Sequence, residues 1–167
     1  MDTKFWGPPG WVFLHTITFN YPWKIDPKNA EHRERKKYTR QLFENLQYTL
    51  PCKYCRASFK QFLKELPIEP HLGSRRSLTR WLYEMHNKVN AKLRKQEMEA
   101  VEALFANLEA KVVAGHLSKR AAYKQLKEFV EKTMITDPDP SFAEICARYE
   151  AHRAGCSKEK HGLAVCR

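Results

Sequence analysis

Apolar residues recur every three or four positions along most of the chain, a spacing that is typical of amphipathic α-helices. The stripes predict seven helical segments, over about residues 11–19, 27–48, 51–66, 77–93, 94–114, 118–136 and 141–152. Long alternating runs of β-branched residues, which indicate half-buried strands, are missing. The pattern therefore predicts an all-α fold, in which the fourth segment continues into the fifth.

Residues at the segment ends carry start and stop signals for helices. Asp26 followed by Pro27 resembles an N-cap with a first-turn proline, and Pro51 suits the first turn of the third segment. Ser118 is a candidate N-cap for the sixth segment, and Gly115 is a plausible C-cap for the fifth. These signals set the expected helix boundaries.

Composition agrees with a folded helical protein and narrows its class. The 167 residues suit one domain, or one domain with an appendage. The amino terminus lacks a secretory pattern and no segment reaches ~18 consecutive apolar residues, so we expect a cytoplasmic protein without a membrane span. The net charge of +11 would attract acidic partners. However, the basic residues alternate with glutamate as on solvated helix faces, so nucleic-acid binding is not expected.

The chain contains five cysteines, and two of them, Cys52 and Cys55, stand two residues apart at the start of a predicted helix. A Cys-x-x-Cys pair serves either thiol–disulfide chemistry or half of a tetrahedral zinc site. A helix start and the neighbouring Lys53 and Arg56 favour a thiolate. An odd number of cysteines does not resemble a secreted disulfide scaffold, so the pair points to catalysis or metal binding.

Polar residues also interrupt two of the apolar stripes. His15 shares a helix face with Trp11, and His86 and Asn90 lie beside a stripe of buried residues. Such side chains need partners when they are buried. They either bond to each other or to a loop backbone, or they contact a bound polar ligand.

Four motifs stand in order between about Gly7 and Lys95. They are Trp11-x-x-Leu14-His15, Tyr21-Pro22, Leu50-Pro51-Cys52-x-x-Cys55 and Trp81-x-x-x-x-His86-Asn87-x-Val89-Asn90. Together they resemble the Erv/ALR sulfhydryl oxidases. The resemblance implies a four-helix bundle enclosing FAD, with additional C-terminal helices and usually a homodimer. It also implies oxidation of protein thiols to disulfides, with electrons passed through FAD to molecular oxygen to give hydrogen peroxide.

By motif position, the resemblance assigns the redox disulfide to Cys52 and Cys55. It turns Cys55 toward the flavin and leaves Cys52 for the substrate. Flavin contacts from the first helix are implied for Gly7, Trp11, His15 and Tyr21. A second set would hold the isoalloxazine, ribose, adenine and phosphates: His86, Asn87, Asn90, Lys92, Leu93 and Lys95. No metal ligand is expected in such an enzyme.

Beyond Lys95 the chain departs from the cellular members of this family. Those members carry a Gly-Lys-Pro stretch and a stapling cysteine pair, whereas here no cysteine follows until Cys146. The compact form resembles the enzymes of large cytoplasmic DNA viruses, which implies a host-cytoplasmic or virion location. We therefore expect an oxidase core over residues 1–95 and a helical extension over residues 96–167. Cys156 and Cys166 fall in a polar tail that we expect to be mobile, and they are candidates for an electron shuttle. The alternative is that Cys146 is buried and the other two cysteines are incidental.

The same residues are also compatible with three other classes of protein. A zinc-binding interaction module would use Cys52 and Cys55 with two tail residues, drawn from Cys146, His152, Cys156, His161 and Cys166. It lacks a second close pair with zinc spacing. A nucleic-acid-binding protein is suggested by charge alone, and a thioredoxin-like enzyme would need a strand before the cysteine pair.

Overall fold

The computed structural model describes residues 3–134 and 137–154, with the side chains of residues 153 and 154 left out of the description. Its α-helices are α1 (Thr3–Phe19), α2 (Ala30–Thr49), α3 (Lys53–Glu65), α4 (Arg75–Val113), α5 (Lys119–Thr133) and α6 (Phe142–Ala154). A 3₁₀ turn, Glu69–His71, precedes α4, and no strand occurs in the described ranges. The all-α prediction is confirmed.

Three predicted helix starts were wrong. Helix α1 begins eight residues early and continues through Pro8 and Pro9, because the fixed φ of proline is itself helical although each ring removes one N–H donor. Helix α2 begins after Asn29, whose side chain accepts the His32 N–H, while Asp26 closes a turn with the Lys28 N–H. The expected cap was therefore three residues too early.

The third wrong start concerns the cysteine pair. Pro51 precedes α3 instead of lying in its first turn, and the N-cap is Cys52 itself. The predicted caps at Gly115, with φ of 74°, and at Ser118 are confirmed. One cysteine of the pair is therefore the residue that caps the start of α3.

The chain forms two compact units, which are described separately. Among the described residues, one unit contains residues 3–86 and 140–154, and the other contains residues 87–134 and 137–139. The sequence motifs predict a different boundary, at Lys95, between an oxidase core and a helical extension. This boundary remains a prediction.

The first unit has a core built by α1, α2, α3 and the first part of α4. Its fully buried members are Tyr21, Phe43, Phe59, Ile68, Leu72, Leu78, Trp81, Leu82 and Met85. The polar atoms of two large rings are satisfied inside this core. The Tyr21 hydroxyl donates to the Leu72 carbonyl at 2.9 Å, and the Trp81 Nε1–H donates to the Leu66 carbonyl at 3.0 Å. Four helices thus share one hydrophobic centre.

Helix α6 adds a second, smaller cluster to the same unit. Its side chains Ile145 and Tyr149 bury themselves against Phe19 near the end of α1. Ser141 and Glu144 form a capping box, since each side chain accepts the other residue's backbone N–H. The C-terminal helix is therefore held against α1 by apolar packing.

The second unit consists of the rest of α4, α5 and the segment that follows it. Leu108 is its buried apolar residue. Asp139 accepts a hydrogen bond from Asn90 at 2.7 Å and binds the guanidinium of Arg94 through both carboxylate oxygens. These hydrogen bonds connect the segment after α5 to α4. None of the described helices is long and apolar enough to span a bilayer.

Candidate active site

The two closely spaced cysteines lie at the start of α3, where both are partly exposed thiols. As N-cap, the Cys52 Sγ accepts the backbone N–H of Cys55 at 3.3 Å. The Arg56 guanidinium donates to the Leu50 carbonyl at 2.6 Å, which ties the preceding turn to the helix. The pair therefore stands on a fixed turn with one sulfur at the helix end.

The surroundings of the Cys52 thiol stabilise its thiolate. Hydrogen bonds from the Cys55 side chain, then from the backbone N–H of Cys55 and of Tyr54, lower the pKa of Cys52. Burial, followed by the charge of Glu150, instead raises the pKa of the half-buried Cys146. Because the thiolate is the nucleophile, we expect Cys52 to react faster than Cys146 at neutral pH.

The lowered pKa predicts how Cys52 reacts with alkylating reagents. In the reduced protein, the pH profile of Cys52 alkylation by iodoacetamide is expected to have its midpoint below the usual ~8.5 of a cysteine. In Cys55→Ala the midpoint should move up, because the largest source of stabilisation is removed. Mass spectrometry of the modified peptide provides the rate at each pH. Cys146 serves as the internal control and should react slowly throughout. Equal midpoints in the wild type and the variant would contradict the assignment.

Three side chains of the first unit lie together between α1 and α4, and we call them the histidine group: Trp11, His15 and His86. The rings of Trp11 and His86 are nearly parallel, with centroids 3.8 Å apart. His15 lies beside them, with its Nε2 atom 3.3 Å from Nδ1 of His86. The structure thus brings together three residues that sequence motifs had assigned to one site.

His15 is 1% exposed, and its Nδ1 atom has no hydrogen-bond partner. Burial, assisted by the charge of His86, lowers the pKa of His15 to about 4. The ring is therefore neutral near pH 7 and carries one buried polar atom whose hydrogen bond is unmade. A bound ligand is one way to supply that bond.

Tyr149 of α6 stacks on His15, with ring centroids 5.1 Å apart. The sequence does not identify Tyr149 as a site residue, because its spacing from Ile145 indicates only a helix face. Nothing local in the sequence places that helix on α1. The C-terminal region thus contributes an aromatic wall to the histidine group.

The remaining predicted site residues occupy varied environments. Tyr21 lies inside the hydrophobic core, where burial, followed by the charge of Glu69, raises its pKa to about 12. Gly7 stands on α1, and no atom lies within 4 Å of the position that a Cβ would take there. Five residues lie on the α4 part of the second unit: Asn87, Asn90, Lys92, Leu93 and Lys95. Of these, Asn90 donates to Asp139 and Lys95 lies 3.9 Å from Glu99.

The zinc-binding alternative finds no support in the geometry. Within residues 3–134 and 137–154, no group of three or more histidine, cysteine or acidic side chains is arranged to hold a metal ion. Three of the tail candidates, Cys156, His161 and Cys166, lie outside the described residues, as does the proposed shuttle.

Comparison with known proteins provides independent information on this chain. Residues 9–109 match the Erv1 / Alr family. The chain is 34% identical over 115 residues to a probable FAD-linked sulfhydryl oxidase of Acanthamoeba polyphaga mimivirus, covering 66% of this chain and 76% of that protein. It is 33% identical over 98 residues to the mitochondrial FAD-linked sulfhydryl oxidase ERV1 of Saccharomyces cerevisiae, covering 59% of this chain and 48% of that protein.

Among solved structures, the crystal structure of the yeast Erv1 core is 31% identical, with a TM-score of 0.48, over 56% of this chain and 73% of that chain. The sequence match spans three quarters of the mimivirus protein but about half of the yeast one. The family match takes in more than half of the chain and contains Trp11, His15, His86 and both cysteines of the Cys52 pair. This chain belongs to the Erv1 / Alr family.

Proposed function

We propose that this protein is an FAD-dependent thiol oxidase that forms disulfide bonds in protein substrates. Its relatives in a mimivirus, yeast and Arabidopsis thaliana are named FAD-linked sulfhydryl oxidases. The observation that carries the proposal is the Cys52 thiol, which caps a helix, has a lowered pKa and is separated by two residues from a second thiol. This arrangement suits disulfide exchange at neutral pH.

The exchange divides the work between the two cysteines. In the oxidised enzyme, a substrate thiolate attacks the Cys52 sulfur, forms a mixed disulfide and releases Cys55 as a thiolate. A second substrate thiolate then attacks the substrate sulfur of that mixed disulfide and releases Cys52. The substrate leaves as a disulfide, and its two electrons and two protons pass to the Cys52–Cys55 pair, which becomes a dithiol. A low pKa makes Cys52 a good leaving group in the second step.

The histidine group fits a flavin nucleotide on its chemistry. A planar stack of Trp11 and His86 offers aromatic surface, and the neutral His15 carries an unsatisfied buried nitrogen. Trp11, His15 and His86 would therefore hold the cofactor from α1 and α4. FAD, when bound, supplies the acceptor for the two electrons of the dithiol and their transfer to oxygen as hydrogen peroxide. On motif position alone, the proposal also includes Gly7, Tyr21, Asn87, Asn90, Lys92, Leu93 and Lys95.

The proposal also covers the electron acceptor, the assembly, the origin, the location and the substrates of the enzyme. Molecular oxygen is proposed as the final acceptor and a homodimer as the assembly, both from the family resemblance. A viral origin and a location in the host cytoplasm are supported by relatives in a mimivirus and in Invertebrate iridescent virus 3. The substrate proteins are proposed only as carriers of accessible thiols.

The purified protein tests this proposal directly. It is expected to bind about one FAD per chain and to consume oxygen and release hydrogen peroxide when dithiothreitol is added. Absorbance of the protein-bound flavin gives the stoichiometry, and a peroxide assay gives the turnover. Protein that remains colourless after incubation with FAD, or that contains stoichiometric zinc instead, would overturn the proposal.

A further inference from the structure

A surface groove runs between α2 and α3. It has a volume of about 390 Å³. Helix α2 contributes Glu44 and the exposed ring of Tyr48, while α3 contributes Lys60, Leu63 and Lys64. The groove therefore combines apolar surface with charges of both signs.

The two acidic residues that line the groove already have cationic partners. Glu69 pairs with Lys36 at 2.9 Å and with Arg40 at 3.4 Å. Arg40 also lies 3.7 Å from Glu44. The hydrogen bond from Lys36, ahead of the other contacts, lowers the pKa of Glu69, so this carboxylate stays ionised within its pairs.

The two lysines of the groove, unlike its two carboxylates, have no partner of opposite charge among the described residues. Lys60 and Lys64 are both exposed. They stand four positions apart on α3 and so point from the same side of the helix. The groove consequently presents two unneutralised positive charges, which complement an acidic ligand.

The two lysines of the groove belong to the helix that begins at the cysteine pair. Helix α3 begins immediately after Cys52. At a rise of 1.5 Å per residue, Lys60 stands ~12 Å and Lys64 ~18 Å along the axis from Cys52. An extended peptide covers ~3.3 Å per residue, so a chain leaving Cys52 reaches these lysines after about four and six residues.

We propose that this groove binds the segment of a thiol substrate that flanks its reactive cysteine, and that it selects acidic residues about four and six positions away. The inference rests on the proposed function, since it requires the substrate sulfur to bond to Cys52. Carboxylates of the segment pair with Lys60 and Lys64, while an apolar side chain contacts Tyr48 and Leu63. Small dithiols do not reach the groove, so their oxidation is independent of it.

Synthetic dithiol peptides provide the test. One peptide carries glutamates four and six residues from its nearest cysteine, a second carries lysines there, and a third carries glutamates beyond the tenth position. Each is made with the charged residues on the amino-terminal side and again on the carboxyl-terminal side. In one of these two directions, the first peptide should exceed the second by about tenfold in kcat/KM at low salt, because two attractions replace two repulsions. The third peptide should show no such advantage.

Charge-reversal variants connect this preference to the groove. The double variant Lys60→Glu with Lys64→Glu should remove or invert the ratio between the first two peptides, while dithiothreitol turnover remains unchanged. Lys111→Glu with Lys132→Glu is the matched control, since it changes the net charge equally on exposed positions of α4 and α5. The ratio compares two peptides on one enzyme, so differences in intrinsic enzyme activity cancel. Raising the ionic strength to ~0.5 M should also reduce the preference.

The possible results separate this inference from the proposed function. Absence of dithiothreitol turnover in the wild type would overturn the oxidase proposal, and with it the inference. Normal dithiothreitol turnover without discrimination between the first two peptides would overturn the inference alone. Loss of the preference in both double variants would show that total charge, and not the groove, selects the substrate, which also overturns the inference.

Discussion

Replacement of Cys55 by serine is expected to abolish thiol oxidation, with a loss of roughly 10³-fold or more in kcat toward dithiothreitol. Without Cys55 no internal disulfide forms, so the substrate has no enzyme disulfide to attack. Cys52→Ser should lose turnover to the same extent for the same reason. Oxygen consumption at saturating FAD provides the measurement. Substantial residual turnover in either variant would contradict the assignment of this pair.

Cys146→Ser is the matched control for these substitutions, since it removes a described thiol whose pKa is raised by burial. It should retain wild-type turnover. The single-cysteine variants also distinguish the two sulfurs. Cys55→Ser, incubated with glutathione disulfide, should accumulate a mixed disulfide on Cys52, because the thiol that would resolve it is missing. Cys52→Ser should accumulate less under the same conditions. The reverse order would reverse the roles assigned to the two cysteines.

The second large effect is expected from His15 and concerns stability in acid. Its pKa is about 4 in the folded protein and 6.5 in a solvated histidine. Between these values the unfolded chain binds more protons than the folded one, so the free energy of unfolding falls as the pH is lowered. A shift of this size corresponds to a loss of about 3 kcal/mol between pH 7 and pH 4. His15→Gln should lack this part of the pH dependence.

Urea denaturation at several pH values between 7 and 4 provides the measurement. His116→Gln, which replaces an exposed histidine of the loop after α4, is the control and should keep the wild-type profile. Because other groups also titrate, the relevant quantity is the difference between the two variants in the slope of stability against pH. Parallel profiles for His15→Gln and the wild type would show that His15 is protonated freely in the folded state.

The sequence predicted the helices and the family well, because both depend on local patterns. The stripe through Leu78, Trp81, Leu82 and Met85 is fully buried in the structure, as its spacing indicated. The motif around His86 was assigned to the same site as the Trp11 motif, and these residues are indeed in contact. The residues of such a motif lie close together in the sequence, so a single sequence is enough to recognise it.

Other features depended on contacts that local spacing does not encode. Asp26 has the residue type of an N-cap, but Asn29 performs this role. Tyr149 packs on His15 across more than a hundred residues of sequence, and Asp139 binds Asn90 across 49. Such pairings depend on how whole helices pack together, so neither could be inferred from the residues around them.

The capping role of Cys52 has a consequence for the driving force of the reaction. The Cys52 sulfur receives hydrogen bonds that favour its thiolate, and only the reduced protein contains that thiolate. A contact that stabilises the reduced form raises the reduction potential of the cysteine pair, which makes its disulfide a stronger oxidant. The turn that begins α3 thus sets how readily electrons leave the substrate. Substitutions that weaken this cap should make the enzyme a weaker oxidant even when both cysteines remain.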